Sequence, residues 1–188
     1  EGVIPGLLKH WYSERKELQA MLKKAKDAGN ATEIEYWDKR QLVKKINLNS
    51  LYGAILNPGC RFFDKRIGQS TTLSGRTIVK HMSAEANKVI TGTYDHVGDA
   101  VIYGDTDSVY FSAYPTLKEG IDKGDIPWST ENAIKLYDQV SDAVDGTFMD
   151  FMLEAFHCPK SRADVIAAGR EIVAKSGLYI TKKRYAAL

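Results

Sequence analysis

Apolar residues recur every three or four positions through the first fifty residues, a pattern that predicts two long helices. In the first, Leu7, Leu8, Trp11, Leu18, Met21 and Leu22 follow Pro5, which suits a first helical turn, and Ala28-Gly29-Asn30 marks the stop. The second begins at Thr32, where Thr32-Glu-Ile-Glu35 fits a capping box. It runs through Trp37, Val43, Ile46 and Leu51 to about Leu56, before Asn57-Pro58-Gly59. Each helix has about 24 residues, or about 36 Å at the helical rise. Only a few residues join them, so they should lie antiparallel.

Beyond residue 60 the period changes. Arg61-Phe-Phe-Asp-Lys-Arg66 reads as a short strand. A third helix follows from about Ser70 to Ile90, with Leu73, Thr77, Ile78, Met82 and Val89 at core spacing. Two β-branched and aromatic runs, Ala100–Tyr103 and Val109–Phe111, flank the tip Gly104-Asp-Thr-Asp-Ser108 and read as a hairpin. A loop with Pro115, Gly120, Gly124 and Pro127 leads to a helix capped by Thr130. That helix runs to about Phe156, with Ile134, Tyr137, Val140, Val144, Phe148, Phe151, Met152 and Ala155 inward. Ala163 to Leu188 reads as two strands, one over Val165–Val173 and one running from Leu178 into Lys182-Lys-Arg-Tyr185, with Ser176-Gly177 turning between them. The fold class is therefore α+β: an antiparallel sheet that carries two acidic residues, backed by helices, with a long two-helix hairpin attached.

Composition narrows the class. The 188 residues are 44% hydrophobic and 27% charged, which suits one large or two small globular domains. The net charge of +2 does not by itself demand a polyanionic partner. Its distribution says more: Lys and Arg crowd into residues 9–45 and 182–184, and Asp and Glu dominate 119–154. Two cysteines, Cys60 and Cys158, are too few for a disulfide framework and suit a reducing cytoplasm. The four histidines show no zinc spacing. No apolar run approaches the roughly 18 residues of a membrane span, and the start shows no basic segment ahead of an apolar run, so neither membrane nor signal peptide is expected. The chain does not begin with Met and ends at Tyr185-Ala-Ala-Leu188 within a strand pattern, which suggests a piece of a longer protein.

Three constellations carry chemistry. Asp105 and Asp107 stand one residue apart at a hairpin tip. Like charges that close repel unless a cation arrives, and Mg²⁺ is often held by one or two carboxylates plus substrate phosphates. Taken alone, D-x-D is also ordinary turn chemistry. On the second helix, Gln41, Lys45, Asn49 and Tyr52 fall within a sector of about 80°. On the first helix, Arg15 and Gln19 share a face, with Lys16 beside it. If the two faces converge they equip a wall for a polyphosphate and a stacked base; the plain alternative is a solvated face. Lys182, Lys183 and Arg184 with Tyr185 on a strand suit a phosphate backbone, or else a charged edge strand.

These stretches together resemble family B DNA polymerases. Tyr103-Gly-Asp-Thr-Asp-Ser108 is similar to that family's Y-G-D-T-D-S motif. Lys44-Lys45-Ile-Asn-Leu-Asn49-Ser50-Leu-Tyr52-Gly53 resembles its K-x₃-N-S-x-Y-G fingers motif, and Lys182-Lys-Arg-Tyr185 its K-K-R-Y motif. Glu14-Arg15-Lys16 matches the first fingers helix. Order and gaps also fit, from Gly2 to Leu188, and the similarity is greatest to T-even-like bacteriophage replicative polymerases. The resemblance implies fingers over 1–56 and most of a palm over 57–188. It implies that Lys45 and Arg15 grip the incoming dNTP, that Asn49 supports them, and that Tyr52 lines the nascent base-pair pocket. Asp107 and Asp105 would hold metal, Asp107 the firmer ligand, with Glu171 the extra acidic residue nearby. Asp105, Asp107 and Lys45 would be the catalytic set. Thr106, Lys182, Lys183, Arg184 and Tyr185 would touch primer-template DNA. The implied chemistry is phosphoryl transfer with two Mg²⁺ ions about 3.5–4 Å apart.

Two departures stand out. The family's other catalytic Asp lies in a D-x-x-S-L-Y-P motif that these residues lack; Ser112-Ala-Tyr-Pro115 is a partial decoy on the wrong side of the fingers, with Val109 where the Asp should be. Gln19 stands where many relatives carry a second basic residue. The expectation is therefore a fingers–palm fragment, inactive alone, of a DNA-templated polymerase. The alternatives are one product of a split polymerase gene that docks with a second chain carrying the missing motif, or a non-catalytic primer-template or nucleotide-binding module. Another D-x-D nucleotidyltransferase, such as an RNA polymerase or reverse transcriptase, is disfavoured by the helical K-x₃-N-S-x-Y-G.

Overall fold

The first two helices form where the apolar periodicity puts them. A computed structural model describes residues 2–188, so residue 1 of the expected 1–56 segment lies outside the described residues. α1 spans Val3–Asp27 and α2 spans Ala31–Ile55. Gly29, at φ +67°, takes the left-handed conformation that turns the chain out of α1. The cap of α2 is Asn30, not Thr32. Asn30 has extended backbone and its side-chain oxygen accepts from the Glu33 amide at 3.3 Å, whereas Thr32 already lies in the first turn. Glu14 pairs with Lys44 and Arg15 with Gln41, so partners descend α2 as they climb α1 and the helices are antiparallel. Val43 and Ile46 are exposed, because the apolar residues of α2 are spread around its circumference.

The expected strand at Arg61–Arg66 does not form. Turns occupy residues 57–63, and the Asp64 side chain accepts the Arg66 amide at 2.8 Å as α3, Lys65–Thr91, begins. The chain forms two compact units, Glu1–Thr72 and Leu73–Leu188.

In the second unit Ile78, Met82 and Ala86 of α3 face the core, while Leu73 and Val89 are exposed, contrary to expectation. β1 (Val101–Asp105) and β2 (Ser108–Phe111) pair antiparallel. The expected loop after them contains a helix, α4 (Tyr114–Asp122), with Pro115 in its first turn. The single helix expected over 130–156 is two, α5 (Thr130–Asp145) and α6 (Phe148–Phe156), and Ser129 rather than Thr130 caps it. The break falls at Gly146-Thr147. Gly146 is a weak helix former, and the Thr147 hydroxyl donates to the Val144 carbonyl at 2.7 Å. The inward stripe survives except for Ala155, which is exposed.

Val140 and Val144 of α5, Phe148 of α6 and Ala86 of α3 form the buried core, with Phe111 of β2 packed against them. Burying each of the larger side chains contributes about 1.5–3 kcal/mol. The strand expected over Val165–Val173 is instead a 3₁₀ segment, Lys160–Val165, followed by irregular chain. It is held by side chains of α5 in place of a partner strand: the Ala168 backbone amide donates to the Asp145 carboxylate at 2.6 Å, and the Arg170 guanidinium pairs with the Asp138 carboxylate. The final segment is itself a hairpin, β3 (Gly177–Thr181) with β4 (Arg184–Ala187), so Lys182 and Lys183 form a turn rather than lying on a strand. Two small antiparallel sheets and their helices make an α+β fold. Among the described residues, no helix is long and apolar enough to cross a membrane.

Candidate functional site

The two acidic residues are presented by a hairpin pinned at both ends. Asn87, fully buried on α3, accepts from the Ala100 amide at 3.0 Å and donates to the Thr93 carbonyl at 2.8 Å. Gly98 lets the backbone pass close over it, since a Cβ there would lie 2.0 Å from the Asn87 amide nitrogen. Asn87 thus fixes the entry to β1, and Phe111 in the core fixes the exit from β2.

Asp105 and Ser108 are paired across the ladder, and Thr106-Asp107 closes the turn. Thr106 is left-handed at φ 51°, an uncommon conformation for a β-branched residue. Its hydroxyl donates to the Asp105 carboxylate at 3.1 Å, and the Ser108 hydroxyl donates to the Asp105 carbonyl at 3.1 Å. The Asp105 side chain is thereby fixed, whereas Asp107 is exposed and its carboxylate makes no hydrogen bond among the described residues.

The second hairpin meets the first through four tyrosines. Tyr103 pairs across the ladder with Tyr110, and Tyr179 with Tyr185. All four rings lie within 5.1–5.7 Å of one another, centroid to centroid, wherever they pair. Such aromatic pairs add about 0.5–1.5 kcal/mol each beyond their burial. The Tyr110 and Tyr185 hydroxyls are hydrogen-bonded at 2.8 Å, and the Lys183 amide donates to the Tyr103 hydroxyl at 2.8 Å. Tyr103 and Asp105 are two apart on β1 and so share a face. The result places the Lys183 ammonium 2.9 and 3.1 Å from the two carboxylate oxygens of Asp105.

That contact sets the charges. The Lys183 hydrogen bond, with help from Thr106, holds the Asp105 carboxyl below its ordinary value, so it is ionised at neutral pH. The same bond holds the Lys183 ammonium above its ordinary value. The hydrogen bond shared with the Tyr110 hydroxyl, which holds the Tyr185 proton in place, pushes the Tyr185 phenol up to about 12.

Two carboxylates on one turn, one fixed and one open, suit a hard divalent cation that takes its remaining oxygens from water or substrate phosphates. They are not an all-protein cage: among the described residues, no group of three or more His, Cys, Asp or Glu could hold a metal ion. Glu171 lies exposed on the irregular stretch before β3 and makes no hydrogen bond among the described residues. Lys182 and Arg184 are exposed beside Lys183.

The first unit carries a separate set. The Arg15 guanidinium donates from Nε to Gln41 at 3.3 Å, so the two polar faces do meet there. Lys44, not Lys45, bridges the helices by pairing with Glu14 at 2.6 Å. Lys45 and Asn49 are exposed on α2 and make no hydrogen bond among the described residues. The Tyr52 hydroxyl donates to the Gly68 carbonyl at 3.4 Å, which leaves its half-buried ring fixed at the start of α3.

Sequence reading missed Tyr110, Tyr179 and Asn87. The tyrosines had a signal, since each stands opposite an already noted tyrosine once the strands are paired. Asn87 had none, because a polar residue inside a helical run reads as surface.

The chain matches the family model described as DNA polymerase family B over residues 1–123. It is 31% identical to a DNA polymerase delta catalytic subunit of Oryza sativa subsp. japonica, over all of this chain and 14% of that protein. It is 30% identical to the corresponding subunit of Glycine max, over all of this chain and 15% of that protein. A DNA polymerase of Phaeocystis pouchetii virus is 31% identical over 64% of this chain and 12% of its own length. The chain thus spans about a seventh or less of these relatives. No solved structure matches it significantly.

Proposed function

The chain belongs to DNA polymerase family B, and on that premise we propose that it forms the fingers and most of the palm of a DNA-templated DNA polymerase that adds deoxynucleotides to a primer 3′ end. The observation that carries the proposal is the meeting of two hairpin tips, with Lys183 on Asp105. Two motifs almost eighty residues apart in sequence become one charged surface.

In this reading Asp105 and Asp107 hold the divalent cations. Mg²⁺ bound there supplies Lewis acidity toward the primer hydroxyl and the leaving pyrophosphate. Lys45 and Arg15 neutralise the triphosphate of a dNTP, Arg15 as a planar fork and Lys45 as a point charge. Asn49 supports them and Tyr52 offers its fixed ring to the nascent base pair. Thr106, Lys182, Lys183, Arg184 and Tyr185 contact primer-template DNA, with the cations on phosphates. Glu171, exposed on the irregular stretch before β3, is the extra acidic residue of this reading. The unpaired cysteines Cys60 and Cys158 support a reducing, cytoplasmic setting. The relatives above come from plants and a virus of another kind and do not support the T-even-like subtype, so the reading stays at family level.

These 188 residues contain no D-x-x-S-L-Y-P motif, and we propose that alone they do not synthesise DNA. The test is to join the chain to a family B segment bearing that motif and to measure primer extension with Mg²⁺ and dNTPs. Extension by the joined protein and not by either part supports the reading. No extension from a folded joined protein, or extension by the 188 residues alone, contradicts it. Restoration by mixing the two separate chains identifies a split polymerase.

A further inference from the structure

We propose that Lys183 is the built-in counter-ion of Asp105 and that it lowers the divalent-cation affinity of the hairpin tip by competing for that carboxylate. The inference rests on the reading of Asp105 and Asp107 as metal-holding residues and goes beyond it.

Five observations lead there. The ammonium lies 2.9 and 3.1 Å from both oxygens of Asp105, the atoms an incoming cation would use. The two partners differ in freedom: the Lys183 side chain is 63% exposed and that of Asp105 only 17%. Among the described residues, the ammonium makes no other hydrogen bond, so its flexible stem can carry it into solvent. The backbone under it does not need to move, because the Lys183 amide is held by the Tyr103 hydroxyl at 2.8 Å and the residue is set in a left-handed turn at φ 64°. Asp107, two residues on from Asp105, has no such counter-ion among the described residues.

The geometry therefore describes an exchange of cations. Asp107 offers an open carboxylate, and Asp105 becomes available when Lys183 swings away. Any anion that draws the ammonium off, such as a DNA phosphate, favours metal at Asp105. By linkage, bound metal in turn releases Lys183 for that anion. The pair thus discourages an idle metal ion in the absence of nucleic acid.

The test is Mn²⁺ titration of the 188-residue chain at neutral pH, read by the electron paramagnetic resonance signal of free Mn²⁺. Lys183→Gln should bind Mn²⁺ about three- to fivefold more tightly than the parent, the upper part of the range an exposed ion pair can impose. Lys183→Arg, which keeps the charge, should stay within about twofold of the parent. Adding Asp105→Asn to Lys183→Gln should erase the gain. Lys183→Met, which keeps the stem, repeats the comparison if Gln disturbs the turn. Unchanged or weaker Mn²⁺ binding in both neutral variants, with binding still lost in Asp105→Asn, overturns the counter-ion role and leaves the metal reading intact. Binding that is absent throughout, or indifferent to Asp105→Asn and Asp107→Asn, overturns both.

Discussion

The hydroxyls of Tyr110 and Tyr185 are hydrogen-bonded at 2.8 Å, and through them strand β2 of one hairpin is tied to strand β4 of the other. The Tyr103 hydroxyl makes the companion tie by accepting from the Lys183 amide. Neither bond touches the carboxylates, yet both decide whether Lys183 reaches Asp105.

Tyr110→Phe keeps the ring and removes the first tie. The Tyr185 phenol, held up at about 12, should fall back toward 10 in the variant. A raised folded-state value means that the contact stabilises below about pH 10 and that its contribution is lost as pH rises from there through about 12. Ultraviolet titration of the phenols, with Tyr185→Phe to assign the late one, checks this. A late phenol that persists in Tyr110→Phe would contradict the assigned hydrogen bond.

Asn87 should matter more to folding than its polarity suggests. Asn87→Ala leaves the buried Ala100 amide without its partner, at a cost of about 1–3 kcal/mol, while the carbonyl of exposed Thr93 can turn to water. Gly98→Ala should destabilise comparably, because the Asn87 side chain it strikes is held at both ends. Urea unfolding of both variants measures the loss.

His81 offers a pH signature in the second unit. The Thr147 hydroxyl gives its proton to Val144, so its oxygen accepts from His81 Nε2, and the Tyr94 hydroxyl donates to Nδ1. This arrangement requires the neutral ring, which is also stacked on Phe151 at 3.8 Å. Burial lowers the His81 value below 6.5, opposed by Glu85 and reinforced by Lys88. A lowered folded-state value means stability present above about 6.5 and lost as pH falls through the folded value. Urea midpoints should therefore drop on acidification, and His81→Gln should flatten that dependence.

DNA binding should separate the cations by role. Lys182→Ala and Lys183→Ala should weaken primer-template binding about equally across sequences. Each should also reduce the slope of log affinity against log salt by about 1. Filter binding at graded salt measures both.

How much of this was legible in the sequence depends on whether order along the chain or contact across it carried the signal. The helical hairpin and the Asp105-Thr-Asp107 tip were legible because periodicity and turn chemistry are local. The long helix expected over 130–156 broke because a threonine hydroxyl competed for the backbone at Gly146-Thr147. The strand expected at Val165–Val173 had β-branched residues but no partner strand, and Asp145 and Asp138 took its polar groups instead. The Lys182-Lys183 turn was read as strand because lysine at φ 64° leaves no compositional trace. At the site, motif spacing named Asp105, Lys183 and Tyr185, but only the paired strands show Tyr110 and Tyr179 joining them.

The central claim is that the hairpin tip carries carboxylates of a polymerase active site, and the most direct measurement is primer extension by the joined protein carrying Asp107→Ala. The account predicts that extension falls by roughly a thousandfold or more, as loss of several kcal/mol of metal-derived transition-state stabilisation requires. Asp142→Ala, on the exposed face of α5, should leave it unchanged. Extension that survives Asp107→Ala undiminished, in a protein that folds and binds primer-template, would contradict the claim.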